Sequence, residues 1–417
     1  SDLESAAPNV RHRSRRMLGR DPHESNRVSS PLELLFDLTF AVAFGAAASE
    51  LAHALAHGHV GAGVVAFCFA TFAISWAWIN FTWFASAYDT DDWLYRLTTM
   101  LQMVGVLVLA LGLKPMFASV TEHHDTLDLD VMVAGYVVMR IAMVLQWWRA
   151  GSHDRGRRDV VGTYLLSILA AQVLWVVLAL VDVPVAATFV LLGVPFLIEL
   201  CGPVYAETRL AGTPWHPHHI AERYGLMVII ALGEGLIGTM ASINVLAEDA
   251  LTWEVGLLAL AGTALTFGIW WSYFAAPAGA ILHAHRERSF GFGYGHLAVF
   301  GSIVAVGAGL HGGATYLEHA THLGLVGTVL AVAIPVSLYT LVLHAGYWSL
   351  TRTFDRLHVV LLLLTAVVIG TALVMAAADV ELVWCLLMLS LAPWVSVAAY
   401  ETTGFRRDAA VVEEAGA

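Results

Sequence analysis

Glu234 and Arg140 are ionisable side chains set deep inside apolar runs, where charge is costly and therefore informative. At 1.5 Å per residue, Glu234 falls about 18 Å along its helix from Glu222, and Arg140 falls about 15 Å along its own from Asp130. Opposite charges at matching depth invite pairing, and Glu199 offers Arg140 a second partner. Arg223, Met227, Ile230 and Glu234 share one helical stripe. Gly233 and Gly235 leave room beside Glu234 for a neighbouring backbone. An Asp, Lys or Arg at the bilayer centre costs about 2.5–3.5 kcal/mol or more, so each such residue is a candidate for function.

A second polar group lies nearer the helix ends. Glu33 and Asp37 are one turn apart on one helix face, with Arg96, Glu199, Glu222, Arg223 and His296 at comparable depth. Two carboxylates so placed can share a proton and couple it to transport. Pairing of Glu33 with Arg96 or Arg223 would instead only hold helices together. Trp76, Trp78, Asn80, Trp271 and Tyr273 suit either the wall of a cavity or packing between two halves of the molecule. His57-Gly58-His59 and His283-Ala284-His285 are weak metal signals, expected in solvated loops, so no metal site is expected. The thiols of Cys68, Cys201 and Cys385 all fall in apolar runs and read as buried and free.

The elements that must position these residues follow from composition. Of 417 residues, 58% are hydrophobic and 13% charged, against about 25% charged in a soluble domain. Apolar runs of membrane-spanning length follow one another, predicting an all-α integral membrane protein with about twelve transmembrane helices. They are expected near 31–54, 61–87, 94–119, 129–150, 159–181, 184–206, 218–246, 252–278, 289–312, 321–345, 355–378 and 380–402. With the N-terminus cytoplasmic, 19 of the 21 Lys+Arg lie on the inside, the exceptions being Lys114 and Arg140. That separation predicts a multi-pass protein of the cell membrane with both termini cytoplasmic. Residues 1–30 lack the apolar segment of a signal peptide. They read as a disordered basic tail that touches anionic lipid rather than nucleic acid.

The halves resemble each other. Ser75-Trp76-Ala77-Trp78-Ile79-Asn80-Phe81 matches Gly268-Ile269-Trp270-Trp271-Ser272-Tyr273-Phe274, and Gly105–Leu113 runs parallel to Ser302–Leu310. Glu33 aligns with Glu222, and Gly45 with Glu234. The expectation is two parallel six-helix repeats, 31–206 and 218–402, joined by a linker at 207–217 and followed by a tail at 403–417. Transporters are commonly built this way.

Pro31-Leu32-Glu33-Leu34-Leu35-Phe36-Asp37-Leu38-Thr39-Phe40 resembles the opening signature of the bacterial low temperature requirement protein A family. Glu222-Arg223-Tyr224-Gly225-Leu226-Met227-Val228-Ile229-Ile230-Ala231-Leu232-Gly233-Glu234 resembles its second. Trp270–Phe274 and Tyr294-Gly295-His296 look like family features too. Leu34-Leu35 stands where the family usually has Phe-Phe, which leaves the carboxylates untouched. The resemblance implies a polytopic membrane protein and carries no settled activity.

Several functions are excluded. The only lysine, Lys114, lies at a helix end, so no retinal Schiff base forms. The chain has no Gly-x-x-x-x-Gly-Lys loop and no His-Glu-x-x-His helix. The leading expectation is a proton-coupled secondary transporter of an unidentified small-molecule or lipid-like substrate. Its site would lie between the halves and use Glu234 and Arg140. The rival is an intramembrane enzyme on a lipid or polyprenyl-like substrate, with Glu, Asp and His296 as acid–base groups. A third reading has the charges only packing helices. No cofactor is assigned.

Overall fold

The computed structural model describes residues 14–24, 27–247, 252–352 and 356–404. Among the described residues, twelve helices are long and apolar enough to cross a membrane. They are α1 Pro31–Ala56, α2 Val60–Tyr88, α3 Trp93–Thr121, α4 Asp130–His153, α5 Arg155–Leu180, α6 Val185–Arg209, α7 Pro217–Leu246, α8 Trp253–Ala284, α9 Arg286–Leu317, α10 Leu325–Thr351, α11 Arg356–Ala377 and α12 Leu382–Thr402. No strand occurs among the described residues. Leu166, Leu180, Val190 and Val374 are exposed, an outward apolar surface that water would not tolerate and acyl chains do. The protein is a multi-pass membrane protein.

Local chemistry sets the helix ends. Pro31 opens α1, where its missing N–H is no loss. Ser30 and Glu33 form a capping box, each accepting the other's backbone N–H at 3.3 and 2.7 Å. Asp92 caps α3 by accepting the Tyr95 N–H at 2.9 Å. The far ends of α3 and α9 close alike, with His123 and His319 in the left-handed region at φ 58° and 55°. In each case the next residue's N–H reaches back five residues, His124 to Ser119 and Ala320 to Thr315.

The helices fall into two compact units. The first comprises 1–39, 77–112 and 125–216; the second comprises 40–76, 113–124 and 217–417. In the first, α3 and α4 pack backbone to backbone. A Cβ on Gly135 would lie 2.3 Å from the Leu109 nitrogen, and one on Gly112 would lie 2.3 Å from that of Met132. A slab of rings then joins α2, α4 and α5, with Trp147 stacked on Tyr164 at 4.2 Å and edge-on to Phe84 at 4.9 Å. In the second unit α7 and α9 approach closely. A Cβ on Gly238 would lie 2.5 Å from the Gly307 carbonyl oxygen.

The amino-terminal segment departs from expectation. Residues 1–13 lie outside the described residues, but 14–24 and 27–30 pack on the first unit instead of forming a disordered tail. Arg15 donates its N–H to Asp92 at 2.8 Å, Met17 to His153 Nδ1 at 3.1 Å, and Arg20 to the Ala87 carbonyl at 2.9 Å. Met17 is fully buried. His216 Nε2 lies 3.0 Å from the Glu24 carbonyl oxygen. The physical reason is charge: buried carboxylates at the ends of α2 and α3 hold what composition alone leaves solvated. The 207–217 linker is ordered too, because Glu207 accepts both the N–H and the hydroxyl of Thr213. Of the expected carboxyl-terminal tail, 405–417 lies outside the described residues.

Candidate functional site

In the first unit, α4 places Tyr136 and Arg140 one turn apart on one face, toward Glu199 of α6. Arg140 Nη2 lies 2.7 Å from Glu199 Oε2. Tyr136 donates its hydroxyl to the same oxygen at 2.5 Å and accepts from Arg140. The guanidinium also sits over the Tyr136 ring, 4.5 Å from its centroid. Arg140 is 4% exposed and Glu199 3%. Of the two carboxylates open to Arg140 at this depth, Glu199 is its ion-pair partner.

Nearer the N-terminal end of α1, Asp37 is fully buried and accepts the Trp78 indole N–H at 2.7 Å. Glu33 lies 3.8 Å from Arg27, which is also 3.5 Å from Asp89. Glu33 thus meets an arginine of the amino-terminal segment, while Arg96 takes Asp91 in a half-exposed pair at 2.8 Å. Asn80 is half-buried on α2. Asp92 binds both terminal guanidinium nitrogens of Arg149, and Arg149 donates to the Arg15 carbonyl at 2.7 Å. Burial alone would raise the Asp92 carboxyl. The Arg149 guanidinium and the Arg15 and Tyr95 N–H groups outweigh burial and hold it below the usual carboxylate range. Asp89 goes the other way: burial first, then the charge of Glu33, push it up to about 6 against the pull of Arg27.

In the second unit, Glu234 of α7 is 8% exposed. Among the described residues its carboxylate has no hydrogen bond and no ion pair. Its walls are backbone: a Cβ on Gly45 of α1 would lie 3.2 Å from Oε1, and one on Gly307 of α9 would lie 2.6 Å from the Glu234 Cβ. His296 is buried on α9 among Tyr224, Phe292 and Phe300. Its Nδ1 lies 2.7 Å from the Phe292 carbonyl oxygen, so Nδ1 carries the hydrogen and Nε2 accepts the Tyr273 hydroxyl at 2.8 Å. Both ring nitrogens are used. Arg223 is fully buried, while its neighbour Glu222 is exposed. Trp76 is buried edge-on to Tyr294 at 5.5 Å, and Trp271 is exposed, donating to Glu401 at 2.9 Å.

The candidates therefore gather as Arg140 with Glu199, Asp37 with Trp78, and His296 with Tyr273. Arg140 and Glu234 belong to different units. Three positions outside the expected set matter. Tyr136 is signalled by its four-residue spacing to Arg140, and Arg27 by its place just before α1. Gln172, a midspan amide of α5, has both amide atoms shielded and without a hydrogen-bond partner.

Comparison with known proteins agrees with this architecture. A protein of Rhizobium meliloti (strain 1021), itself named only as uncharacterized, is 27% identical over 308 residues, spanning 70% of this chain and 71% of the relative. The family model described as bacterial low temperature requirement A protein matches residues 28–393, nearly all of the membrane-spanning chain. A match of that extent, running from the capping box of α1 into α12, makes this chain a member of the bacterial low temperature requirement A protein family.

Proposed function

We propose that this protein is a proton-coupled secondary transporter with Glu234 as the proton carrier. The observation that carries the reading is the solitude of that carboxylate: buried midway along α7, walled by glycine backbone, and without a polar partner among the described residues. Arg140 and Glu199, by contrast, neutralise each other in an ion pair. An unpaired carboxylate in a poorly polarisable setting is tolerable as the neutral acid and ionises when water reaches it. Holding a proton when sealed and releasing it when wetted is what a carrier with alternating access needs.

A parallel six-helix repeat fits the same reading. Helices α3 to α6 begin at residues 93, 130, 155 and 185, and α9 to α12 at 286, 325, 356 and 382, nearly in step. The matched Glu122-His123 and Glu318-His319 helix ends support common ancestry. An acid–base enzyme built on His296 is less favoured, because both of its ring nitrogens are engaged.

The test uses proteoliposomes loaded with the pH dye pyranine under an imposed pH gradient. Amino acids, sugars, carboxylates and polyamines are added in turn. The expected result is compound-dependent proton movement in wild type that Glu234→Gln abolishes, with its unfolding temperature unchanged. Proton movement equal in wild type and Glu234→Gln, or equal in wild-type and protein-free vesicles for every compound, would overturn the reading.

A further inference from the structure

We propose that Arg140, Gln172 and Glu199 form a binding site for a small monocarboxylate with an apolar body, which binds together with one proton. The inference deepens the transport reading by naming a substrate class and rests on it only for the word substrate.

The register of the helices brings the three residues to one depth. Between the antiparallel α4 and α5, Trp147 stacks on Tyr164 and Tyr136 meets Trp175 at 5.5 Å. Between α5 and α6, the Tyr164 hydroxyl donates to Glu207 at 2.9 Å and Trp175 meets Phe196 at 4.9 Å. One turn from Tyr136 on α4 is Arg140; three residues back from Trp175 on α5 is Gln172; three on from Phe196 on α6 is Glu199. Three consecutive helices thus each supply a polar side chain at the same level.

Their hydrogen bonding is incomplete in a particular way. Arg140 uses Nη2 on Glu199 and Tyr136, but its Nε is shielded from solvent with no partner. Gln172 has neither Nε2 nor Oε1 paired. Leaving such groups unpaired costs stability, so a cluster that served packing alone would gain from replacing Gln172 with an apolar residue. The free Nε–H of a guanidinium and a primary amide at the same level make a donor set for anionic oxygen, and guanidinium suits the planar carboxylate best. Tyr136, Trp175 and Phe196 gather their rings about one turn away along the same three helices, which suits an apolar body.

Charge balance supplies the proton. Arg140 and Glu199 sum to zero, and a bound carboxylate would leave one net negative charge in a low-dielectric interior. A proton on Glu199 restores neutrality, and the positive charge of Arg140 passes to the ligand. The ionisable groups facing the site within this unit are Arg140 and Tyr136 on α4 and Glu199 on α6. Helix α5 contributes only the neutral Gln172. Helix α3, packed on α4 where Gly105 meets Met139, presents Met103 to Leu107, none of which titrates.

The test is calorimetry on the purified full chain in detergent, with benzoate as the probe and benzamide as its uncharged counterpart. Wild type should bind benzoate and not benzamide, more tightly at acidic than at neutral pH. Measurement in buffers of different ionisation enthalpy should count one proton taken up. Glu199→Gln should bind without proton uptake and with affinity independent of pH, a change that a purely structural Glu199 would not produce. Gln172→Leu should fold with unchanged or higher unfolding temperature and bind about tenfold more weakly, the loss of one charge-assisted hydrogen bond. No heat with benzoate, equal binding of benzamide, or wild-type affinity in Gln172→Leu would overturn the site. Benzoate binding without flux in the vesicle assay would leave the site standing and refute transport. Glu234-dependent flux without benzoate binding would do the reverse.

Discussion

Replacing Asp92 with Asn removes one charge and turns one of its two acceptor oxygens into an amide donor. The side chain is fully buried where the amino-terminal segment meets the start of α3. It accepts N–H groups from Arg15 and Tyr95 at 2.8 and 2.9 Å and binds both terminal nitrogens of Arg149. Asn caps a helix about as well as Asp, so with its oxygen on the Tyr95 N–H the cap on α3 survives, and the loss falls on the ion pair and on the acceptor of the Arg15 N–H. Breaking a buried pair from one side costs about 3–5 kcal/mol, because the surviving charge is left uncompensated. Arg149 keeps its bond to the Arg15 carbonyl, which puts the expectation at the lower end, about 3 kcal/mol. Thermal unfolding in detergent, followed by tryptophan fluorescence, reads this loss. The double variant Asp92→Asn with Arg149→Met should recover most of it, because no charge remains buried. The pH dependence has a definite sign. The Asp92 carboxyl is depressed in the folded state, so its contribution is present above the ordinary Asp range and lost as pH falls through its lowered value. Asp92→Asn should lack that acid-side loss. A single variant within about 0.5 kcal/mol of wild type, or a double variant no better than the single, would refute the reasoning.

Two further outcomes test other parts of the structure. Asp89 is raised to about 6, so the stability it contributes is fully present below its ordinary value near 4 and is lost as pH rises through 6. Asp89→Asn should flatten that part of an unfolding-temperature profile; an unchanged slope would contradict the assignment. Gly307→Ala places a Cβ 2.6 Å from the Glu234 main chain, and overpacking of this kind costs about 1–3 kcal/mol. Gly312→Ala on the same helix, with nothing within 4 Å, is the control, and equal unfolding temperatures would contradict the packing described.

Twelve spans were legible because a long apolar run in lipid has one backbone solution, and the family signatures on α1 and α7 are local strings. Side-chain partners were less legible. Depth follows from counting residues, but depth alone left Arg140 a choice between Glu199 and Glu234. Only the packing of α4 beside α6 decides it. Glu33 carried its own signal, Ser30 three residues earlier, yet read as an intramembrane charge when it is also half of a capping box. The basic start of the chain reads as solvated by composition. That Asp89 and Asp92 are buried beneath it is a tertiary fact without a local signature. Gln172 carries no charge, and within Ala170-Ala171-Gln172-Val173-Leu174 its amide is lost in the surrounding hydropathy.

The seat of the amino-terminal segment also orders events in the making of the protein. Met17 and its acceptor His153 are 136 positions apart, and Glu24 and His216 are 192 apart. At a ribosomal rate of about 5–20 residues per second, the first partner is synthesised roughly 7–27 s after Met17, and the second later still. Ala87 and Asp92 come sooner, but Met17 and Glu24 wait for His153 and His216 while α1 to α4 are threaded into the bilayer. The segment's contacts can form in steps, and the last of them, to His216, marks completion of the first unit.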